Sequence, residues 1–125
     1  MAGKLSPRAQ TRLAELAELD RRVHTVHGLV EQYAVARVNL ESLEIPLRRN
    51  FTQLKMHFMG AGLDALSQLA GSMEMTIRRG MAQSAKTRIL REAVGNMRLQ
   101  LEMEQRSVIS EEREREAAES GSGED

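Results

Sequence analysis

The stretch LRRNFTQLKMHF, residues 47–58, puts apolar side chains at Leu47, Phe51, Leu54 and Phe58 with polar or charged residues between them. Intervals of four, three and four residues follow the turn of an α-helix and not the strict alternation of a strand. The segment therefore reads as an amphipathic helix. One stripe turns inward, and Arg48, Arg49, Thr52 and Lys55 stand on the other side.

The same period extends in both directions. Ser6-Pro7 supplies a helix start, with serine as N-cap and proline at the first helical position. Leu16, Val23 and Val30 then recur at one seven-residue spacing, and Leu19, Val26, Tyr33 and Leu40 at another, which together make a single apolar seam. This pattern predicts a first helix from Pro7 to Leu43. Gly28 inside it costs about 1 kcal/mol relative to alanine, which a packed helix tolerates. Pro46 predicts a break or sharp kink at Glu44–Ile45, because the residue before a proline avoids helical geometry. Gly60-Ala61-Gly62 should close the second helix through a left-handed cap. A third helix, Leu63 to Arg79, aligns Leu66, Leu69, Met73 and Ile77 and stops at Gly80. A fourth, Gln83 to Arg115, aligns Leu90, Val94, Met97, Leu101 and Val108. From Glu111 the text becomes EEREREAAESGSGED, whose composition predicts a fraying helix that passes into disorder. The expected organisation is a flexible segment over residues 1–6, a helical bundle over 7–110 and an acidic, disordered tail over 111–125. The fold class is all-α: an antiparallel four-helix bundle with long first and last helices.

Composition supports this reading. Of 125 residues 41% are hydrophobic but only 2% aromatic, so the core must come from Leu, Val, Ile, Ala and the eight Met, which suits helix packing better than a sheet. Without cysteine there is neither a disulfide framework nor a thiolate metal site. No stretch is long and apolar enough to span a membrane, and MAGKLSPRAQ has no signal-peptide core, so a cytoplasmic protein is expected. The net charge of zero conceals a division: residues 45–98 carry nine basic and three acidic side chains, and residues 99–125 carry three basic and nine acidic. The acidic end could solvate the chain, fold back on the basic middle or meet a basic partner.

With these helices in place, residues 47–80 resemble the histidine-containing phosphotransfer (HPt) domain, a four-helix module that passes phosphoryl groups between receiver domains. Without a gap, Arg48-Arg49 match the family's basic pair, Leu54-Lys55 its Leu-Lys, and Gly62 its turn glycine. Leu66, Leu69 and Ala70 match its small and apolar face, Glu74 and Arg78 its charged pair, and Gly80 its closing glycine. Two departures matter. Thr52 stands where the family has its phosphoryl-accepting histidine, and Phe51 and Met56 replace small residues, so they should crowd the approach of a receiver domain. A threonine hydroxyl without an adjacent base is a poor nucleophile, and its phosphoester does not pass readily back to an aspartate. Relay chemistry at Thr52 is not expected.

Two other histidines, His57 and His24, are candidate substitutes. His57 is five residues from Thr52, about 140° around the helix, and points elsewhere. His24 sits in RRVHTVHG, which mimics the motif locally, but Ala34 and Glu41 then stand where a glycine and a leucine belong. His24 and His27 have a metal-compatible spacing, with Glu31 as a conceivable third ligand, although such pairs are common on helices. The methionines read as adaptable core filler, save Met59 and Met75, which lie off the main stripes. Scarce aromatics and a pI near 6.9 argue against nucleic acid. No phosphate loop, carboxylate cleft or catalytic triad is visible.

The resemblance thus implies a non-catalytic regulatory protein that needs no cofactor or metal. It would dock a receiver domain or histidine kinase through Arg48, Arg49, Thr52, Lys55 and Met59. The competing expectation is an oligomeric helical adaptor or structural protein, a homodimer for instance, that self-associates through its long first and last helices and buries the seam from Leu16 to Leu40 partly against a second copy.

Overall fold

The computed structural model describes residues 5–123, so residues 1–4 of the expected flexible segment and the last two of the expected tail lie outside it. Four helices follow one another: α1 (Pro7–Val35), α2 (Leu40–Gly60), α3 (Asp64–Arg78) and α4 (Gln83–Gly123). Each packs on its neighbours in the cyclic order α1, α2, α3, α4, and the backbones of the diagonal pairs stay apart, with α2 and α4 joined by the Lys86–Glu44 ion pair. This is the antiparallel four-helix bundle that the periodicity predicts. No helix among the described residues is long and apolar enough to cross a membrane.

The core is built from the expected stripes. Leu16, Val23, Val26 and Val30 of α1 meet Leu47, Phe51, Leu54 and Phe58 of α2, Leu66 and Ile77 of α3, and Leu90, Met97 and Leu101 of α4, all essentially inaccessible. The seam of α1 is therefore buried inside its own bundle. Leu40, assigned above to that seam, belongs to α2.

The first two helix boundaries differ from expectation. Helix α1 ends at Val35, eight residues early, and Asn39 turns the chain with left-handed backbone angles (φ 59°, ψ 37°) that asparagine tolerates better than most residues. Helix α2 then runs through Pro46 without a break. The reason lies in the apolar register. Leu40, Leu43, Leu47, Phe51, Leu54 and Phe58 form one unbroken helical stripe, all buried in the core or packed against it. Pro46 denies the Ser42 carbonyl its usual donor, but Ser42 is exposed to solvent. Burial of the stripe outweighs that loss.

The turn after α2 forms as the glycines predict. Gly62 adopts φ +75°, its N–H donates to the Met59 carbonyl (3.1 Å), and the Leu63 N–H donates to the Phe58 carbonyl (2.9 Å). These two bonds make a complete Schellman cap.

Polar ties close both ends. At the end where α1 stops and α4 begins, Gln83 Nε2 donates to the carbonyls of Tyr33 and Ala36, each at 2.7 Å. Lys86 is buried, donates from Nζ to the Ile77 carbonyl at 2.7 Å and lies 3.4 Å from Glu44. Burial, followed by the charge and hydrogen bond of Glu44, raises the Tyr33 phenol above its ordinary value. Glu44 thus ties α2 to α4 and sets its charge near Tyr33 of α1.

At the other end α4 outruns the bundle. It passes the start of α3 near Gln100 and Glu104, and beyond that level it lies against α1 alone. The fourth helix, expected to end at Arg115 and fray into disorder from Glu111, continues to Gly123. Ser6 explains part of this. Its Oγ accepts from the Ala9 N–H as a helix cap, while its own N–H donates to Glu112 Oε1 at 2.8 Å. In a capping box that acceptor comes from the third residue of the same helix. Here Ala9 holds that position and α4 supplies the carboxylate.

Two predictions follow from these ties. Lys86→Ala strands the Ile77 carbonyl and Glu44, and should cost about 2–4 kcal/mol in urea unfolding. The hydrogen bonds from Ser6, hydroxyl first and backbone N–H second, together with Arg115, hold the Glu112 carboxyl below its ordinary 4.5. A depressed carboxyl stabilises the fold above its unfolded value, and that contribution fades as pH falls through the folded value. Amide protection factors in the first turn of α1, corrected for intrinsic exchange, should therefore fall as pH drops below about 4.5 in the native protein. In Glu112→Gln they should be lower at neutral pH and lose that acid dependence.

Candidate functional site

Helix α2 determines which side chains share a surface. Once Phe51, Leu54 and Phe58 occupy the core, positions 48, 52, 55 and 59 fall on one outward stripe at intervals of four, three and four, with Arg49 and Met56 beside it. Thr52, Lys55 and Arg49 are exposed, Arg48 is half-buried, and Met56 and Met59 are 64% and 54% accessible. All five candidate residues therefore belong to one face of a single helix. Phe51 does not crowd that face, as the sequence suggested: its ring is fully buried. Met56, one turn beyond Thr52, does stand on it.

Helix α3 supports this face through small residues that the sequence reading passed over. Ser67 Oγ donates to the Lys55 carbonyl at 3.0 Å. A Cβ placed at Gly71 would sit 3.4 Å from Lys55 Cδ, so the aliphatic stem of Lys55 lies across the glycine. The signal was present as Ser67, Ala70 and Gly71, which share one side of α3 at intervals of three and one. Small residues there let two helices approach closely.

The electrostatics of the basic middle are sorted by the fold. Arg78 is paired with Glu74 at 2.7 Å, Arg91 with Glu31 at 2.7 Å, and Lys86 is buried against Glu44. Among the described residues, Arg48, Arg49 and Lys55 have no carboxylate within 4.0 Å. Arg79, Arg88 and Arg98 likewise have none, so α2 carries three of the six unpaired basic side chains of this region and the end of α3 and α4 carry the rest. Arg48 borders a groove of about 460 Å³ between α2 and α3, lined also by Glu41, Glu44, Ile45, Ile77 and Arg78.

The histidines lie elsewhere. His57 is exposed and lines the groove between α1 and α2 with Arg22 and Thr25, on the opposite flank of α2 from Lys55. His24 and His27 project from α1 with ring centroids 6.4 Å apart. His27 lies 3.6 Å from Glu31, but both Glu31 oxygens accept from Arg91. That pairing lowers the Glu31 carboxyl below its ordinary value, chiefly through the Arg91 hydrogen bond, and commits the conceivable third metal ligand. Among the described residues no group of three or more ligating side chains is assembled.

No family model, curated protein or solved structure matched the chain.

Adjacent positions on α2 should respond in opposite ways. Phe51→Ala removes a fully buried ring and should cost about 3–5 kcal/mol of unfolding free energy. Thr52→Ala, one residue on and exposed, should change it by about 0.5 kcal/mol or less. Chemical denaturation monitored by circular dichroism distinguishes the two.

Proposed function

We propose that this protein is a non-catalytic regulatory interaction module. It docks a receiver domain or histidine kinase of a signalling relay through the outward face of α2 and transfers no phosphoryl group. One observation carries the reading: Thr52 stands exposed at mid-helix on a four-helix bundle, one turn from Lys55, where the HPt pattern puts its reactive histidine. Among the described residues the Thr52 hydroxyl has no hydrogen-bond partner and thus no base to activate it.

The rest of the face suits docking. Arg48, Arg49 and Lys55 present unpaired positive charge to an acidic receiver pocket, which favours encounter and orientation. Met56 and Met59 offer flexible apolar surface that can adapt to a partner. In this role the protein would compete with active phosphotransfer partners or tether the receiver, and a cytoplasmic location belongs to the same proposal.

The test is binding to purified receiver domains and kinases of the same genome. At least one should bind the protein, Lys55→Glu should weaken it about tenfold or more, and Thr52→Ala should leave it within about twofold. Radiolabelled phosphoryl groups should remain on the receiver with the natural chain. Thr52→His combined with Met56→Gly should accept label. Absence of any binding, or label on the natural chain, would overturn the proposal.

A further inference from the structure

The acidic end of α4 and the basic face of α2 belong to one chain, yet the fold holds them apart. Past Glu104 the helix has left α3 behind, and Glu114 lies about 15 Å farther along the axis at 1.5 Å per residue. Lys55 lies level with Ser67 and Gly71, about a further 5–10 Å in the opposite direction. Roughly 20 Å or more of axial distance therefore separates the two charge groups, against a Debye length of about 8–10 Å at ordinary salt. Because α4 is one continuous helix and meets α2 through Lys86 and Glu44 at the opposite end of the bundle, the arm cannot fold back on its own molecule without breaking.

We infer that the acidic arm of α4 docks on the basic α2 face of a second copy of this chain. Over residues 102–119 the arm carries seven glutamates and three arginines. Glu111, Glu114 and Glu116 have no ion-pair partner within 4.0 Å among the described residues. The α2 face offers Arg48, Arg49 and Lys55, likewise without carboxylates. Each surface supplies what the other lacks, and the geometry allows them to meet only between molecules. The contact is heterologous: one copy contributes its arm and the other its face. It closes as a pair if each arm reaches the other's face, and otherwise continues as a chain of copies. In either case the arm occupies the surface that an acidic partner would need, so self-association and partner docking exclude one another. The inference rests on α2 being a docking face, but not on the partner being a receiver domain.

A charge swap tests it with the full chain. Sedimentation velocity of the natural protein should show concentration-dependent association at about 0.05 M salt that is lost at about 0.5 M. The face variant, Arg48→Glu with Arg49→Glu and Lys55→Glu, should be monomeric. So should the arm variant, Glu111→Lys with Glu114→Lys and Glu116→Lys, which leaves Glu112 on Ser6. Arg49, Lys55, Glu111 and Glu114 are exposed and Arg48 and Glu116 are half-buried, and unchanged helicity by circular dichroism confirms folding. Mixed in equal amounts, the two variants should associate again, because each arm then meets a face of opposite sign. A natural protein that stays monomeric at low salt would overturn the inference, as would association that survives both variants or a mixture that does not recover. Partner binding by the arm variant separates the outcomes. If it binds a receiver while the natural protein is monomeric, the docking reading stands and the self-association reading fails.

Discussion

The two phenylalanine rings of α2 fix everything that the surface of this protein presents. Phe51 and Phe58 are fully buried in a core otherwise made of Leu, Val, Ile, Ala and Met with Tyr33. With two positions seven residues apart held inward, the helical period leaves no freedom for the others. Thr52, Lys55 and Met59 must face outward, and Arg48 must lie at the groove edge. A one-residue slip of α2 would expose both rings and bury a lysine or a threonine. The charge on this face is therefore a consequence of core packing, held as firmly as the core itself.

The polar residues at the ends of the bundle serve a different purpose. Helix termini leave backbone carbonyls and N–H groups without partners, and here long-range side chains satisfy several of them. Gln83 serves the end of α1, Lys86 the end of α3, Arg12 the carbonyl of Ala61 after α2, and Glu112 the start of α1. Three of these bonds bridge 49 or more residues of sequence and the Lys86 bond nine, and each fixes an axial register where the apolar stripes alone permit sliding. A buried lysine is costly unless it is hydrogen-bonded and paired. Lys86 is both, and its charge is withdrawn from the surface as a result.

Much of the fold was legible in the sequence because the stripes of α1, α3 and α4 obey a single period. The α1–α2 boundary was not, since proline and left-handed asparagine give competing local signals. Pro46 argues for a break at its own position, whereas Asn39 marks the real one. Only the register from Leu40 to Phe58 decides between them, and that register depends on which side of α2 meets the core. The α2 face was legible residue by residue. Its support was not, because Gly71 and Ser67 matter only through the approach of Lys55 from another helix. The ordered part of the acidic end was hidden for a similar reason. Composition alone reads EEREREAAESGSGED as too polar to pack, and nothing local indicates that Glu112 accepts from Ser6 more than a hundred residues away in sequence.

Rigid helices also explain how one chain can carry strong charge of both signs without neutralising itself. A flexible acidic tail would sample the basic face of its own molecule at high effective concentration and would largely mask it. Continuation of α4 as a helix removes that intramolecular route, because the tail's charges are carried away along the bundle axis. The same ion pairs must then form between molecules, where their strength depends on concentration and salt. Fixing the arm to α1 through Ser6 and Glu112 therefore does more than extend a helix. It determines whether the face of α2 is covered from within the molecule or left open to another one.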